Sequence, residues 1–178
     1  MNLISSATSL LSILTIAAQI LVVLGLVSYF FPKRVKLLDR LFSQYLVPYT
    51  FVIPVIATVG SLFFSEIAHF SPCVLCWYQR IFMYPMAFIL TIAYFLKDKT
   101  LAVYTIVLSA IGAVIAFYHY LLQIGTVGEI LPCSAVGYSV SCAEKFTLEF
   151  GYITIPMMAL SAFLLIIVLQ ALQIKNRK

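Results

Sequence analysis

The chain has 178 residues, of which 63% are hydrophobic and only 10% charged. A mean hydropathy of +1.10 excludes an ordinary water-soluble domain, whose surface needs far more charge. The formal net charge of +5 does not point to nucleic acid, because the basic residues sit between apolar runs rather than in one patch.

A helix that crosses a bilayer takes about 20 mostly apolar residues. The first such run is Leu10–Phe31. It has no basic stretch before it, and Tyr29-Phe30-Phe31-Pro32 is too bulky for a signal-peptide cleavage site, so it is expected to be a retained helix. From Lys33 to Leu46 bases alternate with Val35, Leu37, Leu38, Leu41, Phe42 and Tyr45. That pattern suits either a short interfacial helix on an anionic leaflet or a solvated connection.

A second run, Val47–Glu66, leads into a short loop, Ile67–Trp77, with His69, Pro72, Cys73 and Cys76. The third and fourth runs are Tyr78–Leu96 and Leu101–Leu122, the latter carrying His119. A long loop follows, Gln123–Gly151, with Cys133 and Cys142; its glycines and Pro132 argue against continuous regular structure. The fifth run is Tyr152–Ile174. The chain therefore reads as an all-α integral membrane protein with five spans.

Nine of the eleven Lys and Arg residues fall after the first, third and fifth runs. With five spans those segments share one face, and the excess of Lys and Arg on cytoplasmic loops makes that face cytoplasmic. The N-terminus and all four cysteines are then expected outside, the C-terminus inside. Arg80 and Lys145 remain on the outer side or its edge.

Cys73-Val74-Leu75-Cys76 is a C-x-x-C motif. Cysteines at this spacing serve a redox disulfide, half of a zinc site or part of an iron–sulfur site. Outside the cytoplasm disulfides persist, and the eight residues between Cys133 and Cys142 are too many for a zinc knuckle, so no metal is expected. Two purely structural disulfides are the plainer alternative, stronger for Cys133 and Cys142 than for the C-x-x-C pair, whose small strained ring stabilises little and is readily reduced. Cys76 falls near the start of a helix, where unpaired N–H groups and the dipole favour a thiolate.

Arg80 lies four residues on, one turn along the same helical face. It reads either as a snorkelling interfacial arginine or as a guanidinium that steadies the thiolate or binds a carbonyl oxygen; its register with Cys76 favours the second. Trp77, Tyr78 and Tyr84 fit an interfacial aromatic belt or the walls of a flat cofactor. His119 suits a hydrogen bond to an oxygen of such a cofactor, a proton transfer, or simply a satisfied headgroup-level histidine. His69 carries no such expectation.

The segment Pro72-Cys73-Val74-Leu75-Cys76-Trp77-Tyr78-Gln79-Arg80 closely resembles the first active-site loop of the DsbB family, in particular its shorter BdbC-type members. Leu131-Pro132-Cys133, Cys142 and Phe150-Gly151-Tyr152-Ile153-Thr154-Ile155-Pro156 resemble that family's second loop and its last helix entry. The resemblance implies that family's general role, keeping an extracytoplasmic compartment oxidised through quinone. It also implies a four-helix transmembrane bundle (residues 47–178) in a bacterial inner membrane, with an extra N-terminal transmembrane helix and basic loop (residues 1–46). A further implication is a Cys133–Cys142 disulfide that oxidises a DsbA-like thioredoxin-fold thiol oxidase, with Cys133 forming the mixed disulfide. Cys142 would then attack Cys73, leaving Cys76 as the thiolate beside Arg80, facing ubiquinone or menaquinone. Membrane lipid and the quinone pool are thus expected partners, and nucleic acid is not.

The sequence departs from that pattern in the extra Leu10–Phe31 run and in the short Cys133–Cys142 interval. Epoxide reductases of the vitamin-K type also carry a C-x-x-C on a four-helix bundle, but late in the chain, whereas here it comes early. A channel, transporter subunit or assembly factor with structural disulfides is the reading from another class; Glu66 is the only acidic candidate at a span edge for transport.

Overall fold

The computed structural model describes residues 3–98, 100–128 and 140–176, and these form an all-α bundle. Helix α1 covers Leu3–Phe30, α2 Lys36–Leu41, α3 Val52–Leu62, α4 Val74–Leu96, α5 Ala102–Gln123 and α6 Ile155–Lys175. A π-helical turn extends α2 through Phe42–Leu46, and another extends α3 through Phe63–Ile67. Among the described residues α1, α4, α5 and α6 are long and apolar enough to cross a membrane. Their outward faces carry Phe88, Phe95, Val114 and Leu96, each more than two-thirds exposed, a surface that lipid, rather than water, accommodates.

α1 starts seven residues before the expected run. The reason is local: Thr8, Ser12 and Thr15 each donate their hydroxyl to a carbonyl one turn back, at 2.8 Å, so polar side chains stay inside the helix without an unpaired donor. Of segment 33–46, residues 36–46 are helical, as the first of the two expectations has it. Phe42, 1% exposed, anchors it against Leu165, Val168, Leu169 and Leu172 of α6.

The second expected span is shorter than its apolar run. α3 and its π turn make a continuous Val52–Ile67 helix, while residues 47–51 form turns. Pro48 and Pro54 each lack the N–H that would continue the i→i−4 ladder through that stretch.

α4 begins earlier than expected because Cys73 is itself its N-cap: its backbone is extended (φ −74°, ψ 172°) and its Sγ accepts the Cys76 N–H. Pro72 before it favours extended backbone over helix. The central core joins Met83, Met86 and Leu90 of α4 to Ala113 and Ala116 of α5 and Phe163 and Ile166 of α6. At Gly112 the absence of a side chain admits the Phe163 ring against the α5 backbone. The loop entering α6 reverses in a tight turn at Phe150 and Gly151, both at positive φ (51° and 78°), closed by paired backbone bonds between Glu149 and Ile153 of 2.9 Å each.

Candidate active site

Cys73 and Cys76 occupy the N-cap and third helical positions of α4, which brings their sulfurs to 3.1 Å as free thiols. Cys73 is 3% exposed and packs with Leu75, Leu122 and Cys142. Cys142 is disulfide-bonded. Cys133, its partner in the implied second-loop disulfide, lies outside the described residues.

His119, 2% exposed, is reached from α5. Its Nε2 lies 3.1 Å from the Cys142 carbonyl and 3.6 Å from Cys73 Sγ. A carbonyl only accepts, so Nε2 carries the proton; Nδ1 is then the acceptor, and Gln79 Nε2 donates to it at 2.9 Å. This fixed tautomer bears on metal binding. Cys73, Cys76 and His119 are close enough together to hold a cation such as zinc, but the imidazole nitrogen facing the thiols presents a proton rather than a lone pair.

The Cys73 thiol is lowered from its ordinary 9 to about 4. The principal cause is the hydrogen bond from the Cys76 thiol; His119 and the Cys76 N–H act in the same direction, against burial. The helix N-terminus thus holds its anion at Cys73, one turn earlier than the sequence expectation, which put it at Cys76.

Cys76 points the other way, into a cavity of about 310 Å³ bounded by α1, α3, α4 and α6. Its polar lining gathers near the cysteines, with Gln79, Arg80, Ser61 and Tyr84; beyond them the walls are apolar, among them Ile53, Ile56, Met158 and Leu165. Arg80 does reach the cavity on the face of Cys76, and it is held there by α3: its Nε donates to Ser61 Oγ and its Nη2 to Ser61 O, both at 3.0 Å. Trp77 lies under the guanidinium at 5.1 Å, and Tyr84 donates to Ser61 Oγ at 3.2 Å. Of the three aromatic residues considered as cofactor walls, Tyr84 lines the cavity, whereas Trp77 and Tyr78 are exposed outside it. His119 is not among the lining residues; it stands on the Cys142 side of Cys73.

Sequence reasoning assigned no role to Gln79 or Ser61. Their only signal is a polar side chain in an otherwise apolar helix, which asks for a partner. It also missed a stack of three rings, Phe64 on Phe70 (5.8 Å) and Phe70 on Phe146 (5.0 Å), which joins the first cysteine loop to the second and lines the cavity.

The cavity suits a flat, lipid-soluble quinone: a cationic donor and hydroxyls sit beside a thiol at one end, with an apolar channel for a tail behind. Arg80 and Ser61 would offer donors to the ring's oxygens, and Cys76 would face it.

Comparison with known proteins points to disulfide bond formation. The family model described as "Disulfide bond formation protein DsbB" matches residues 43–173. "Probable disulfide formation protein C 1" of Bacillus anthracis is 46% identical over 125 residues, covering 68% of this chain and 86% of that protein. "Disulfide bond formation protein C" of Bacillus subtilis (strain 168) is 46% identical over 124 residues, covering 69% and 88%. A "Probable disulfide formation protein" of Metapseudomonas resinovorans is 43% identical over 121 residues, covering 67% and 83%. No solved structure matches the chain. With the matched segment spanning α3 to α6 and both described cysteine sites, the chain belongs to the DsbB family of disulfide bond formation proteins.

Proposed function

We propose that the protein is a membrane thiol:quinone oxidoreductase that re-oxidises an extracytoplasmic thioredoxin-fold thiol oxidase and passes the electrons to a membrane quinone. One observation carries this reading: the C-x-x-C pair stands between two environments, Cys73 packed toward Cys142 and His119, Cys76 opening onto the cavity beside Arg80.

The order of steps follows from that arrangement. The reduced partner attacks the Cys133–Cys142 disulfide at Cys133, and the partner's second thiol resolves the mixed disulfide, leaving both loop cysteines reduced. Cys142, as thiolate, attacks Cys73 of the oxidised C-x-x-C; the Cys73–Cys76 bond breaks and Cys76 leaves as thiolate into the cavity. Cys133 then attacks Cys142, restoring the loop disulfide and releasing Cys73, whose negative charge the Cys76 thiol and N–H and His119 are placed to hold. The C-x-x-C pair now carries two electrons as a dithiol. A bound quinone supplies the two-electron, two-proton acceptor that returns it to the disulfide. Arg80, pinned by Ser61, orients the ring; His119 serves the thiol side, where its proton faces Cys73.

The test is anaerobic reduction of a soluble quinone analogue by a reduced DsbA-like dithiol partner, with the detergent-purified protein and with Cys76→Ser. Rapid reduction lost in the variant is expected. No reduction with any quinone, while the cysteines stay locked in disulfides, would return the chain to the structural-disulfide reading.

A further inference from the structure

The family model begins at residue 43, after α1, yet α1 is not an appendage to the cavity. Leu11, Leu14, Thr15, Ala18 and Leu21, spaced three and four residues apart and so on one helical stripe, form one of its walls, whereas α5 contributes nothing to it. Leu11 seats against Gly60 of α3, where an added Cβ would lie 3.2 Å from it. Farther along, Gln19 accepts from the Tyr152 hydroxyl (2.8 Å) and donates to Ser161 (3.1 Å) of α6. Gly25 lets α1 close on Val168, and Lys175 donates to the Tyr29 carbonyl at 2.7 Å. α1 is therefore fixed along α6 and reaches α3 at Gly60, walling that side of the cavity.

Resting on the reading of this cavity as a quinone site, we propose that α1 is its tail-selecting wall. Leu11 stands at the level of Gly60, next to Ser61 and hence the polar end. Leu14, Ala18 and Leu21 follow along the apolar part, opposite Ile53, Ile56 and Ala57. The Thr15 hydroxyl donates to its own helix, to Leu11 O, so α1 directs no free donor at a ligand. Its selection is by shape, acting on the hydrocarbon tail, while Arg80 and Ser61 act on the ring. Small Ala17, Ala18 and Thr15 side chains leave the channel its width.

Trp77, the only tryptophan of the chain, lies beside Arg80, so quenching of its fluorescence reads quinone binding without turnover. Two probes are titrated into detergent-solubilised protein: a tail-less benzoquinone and the same ring bearing a decyl chain. Ala18→Phe, which narrows the channel, is expected to weaken the decyl probe about tenfold, and Leu14→Ala, which removes wall contact, about threefold. Both leave the tail-less probe unchanged, and Val23→Phe on the lipid-exposed face of α1 alters neither. Unchanged decyl affinity in both wall variants, or loss of both probes in step, overturns the proposal with the quinone reading intact. If the wild type binds neither probe, the quinone reading itself falls.

Discussion

A thiol that titrates near 4 behaves differently from an ordinary cysteine over the whole accessible pH range. In a variant carrying Cys133→Ser and Cys142→Ser, the reduced protein is expected to keep its ultraviolet thiolate absorbance from neutral pH down to the region of pH 4 and lose it below, because Cys73 is the anion above its lowered pKa. The ordering of causes gives a sharper check. Replacing the donor, Cys76→Ala, is expected to move that inflection up toward the ordinary 9, since the hydrogen bond from the Cys76 thiol is the largest single cause of the lowering, and His119→Phe is expected to move it in the same direction. Arg80 is a second residue where geometry decides. Its two bonds to Ser61 use the planar fork of the guanidinium, which an ammonium cannot reproduce. Arg80→Lys is expected to raise the KM for a quinone analogue about tenfold, as loss of one charge-assisted hydrogen bond of about 1.5 kcal/mol would, with little change in exchange with the dithiol partner. The cysteines and Arg80 were legible in the sequence because their relation is local, a C-x-x-C and one further turn of one helix. Ser61 was not, being 19 residues from Arg80 on a helix whose facing could not be known.

At the scale of elements, apolar runs were enough to place the helices but not their contacts. The five expected runs each hold a helix, α1, α3, α4, α5 and α6, but α3 with its π turn is shorter than the four of spanning length; composition alone could not show that prolines would shorten α3 or that Cys73 would begin α4. Close helix approaches were equally hidden, since Gly112 reads as one more small residue in an apolar run. With Phe163 fully buried and its ring in the space an added methyl would take, Gly112→Ala should overpack the α5–α6 contact. A loss of about 1–3 kcal/mol is expected, seen as a fall of several degrees in the unfolding midpoint in detergent; an unchanged midpoint would mean that the two helices separate more freely than their packing suggests.

For the whole molecule, the orientation expected from the distribution of Lys and Arg is open to a direct test. Leu148, at the cysteine end, and Leu37, in α2, are both exposed. Placed in a background whose native cysteines are replaced by serine, Leu148→Cys is expected to react with a membrane-impermeant maleimide in intact cells, and Leu37→Cys only after lysis; the reverse pattern would invert the topology. Nothing in a linear pattern announced that α1 would lie against the cavity or that Phe70 and Phe146 would stack between the two cysteine loops, because both depend on contacts between distant segments. The meeting of the loops has a kinetic consequence. Phe146 is stacked on Phe70, and it follows Cys142 by only four residues of chain, about 14 Å when fully extended. While that stack holds, Cys142 is on a short leash, confined to the neighbourhood of Cys73 at a high effective concentration. The internal exchange is then first-order and independent of how much protein the membrane contains, and only the encounter with the outside dithiol depends on concentration. Phe146→Ala lengthens the leash, and is expected to slow the internal step while leaving that encounter unchanged.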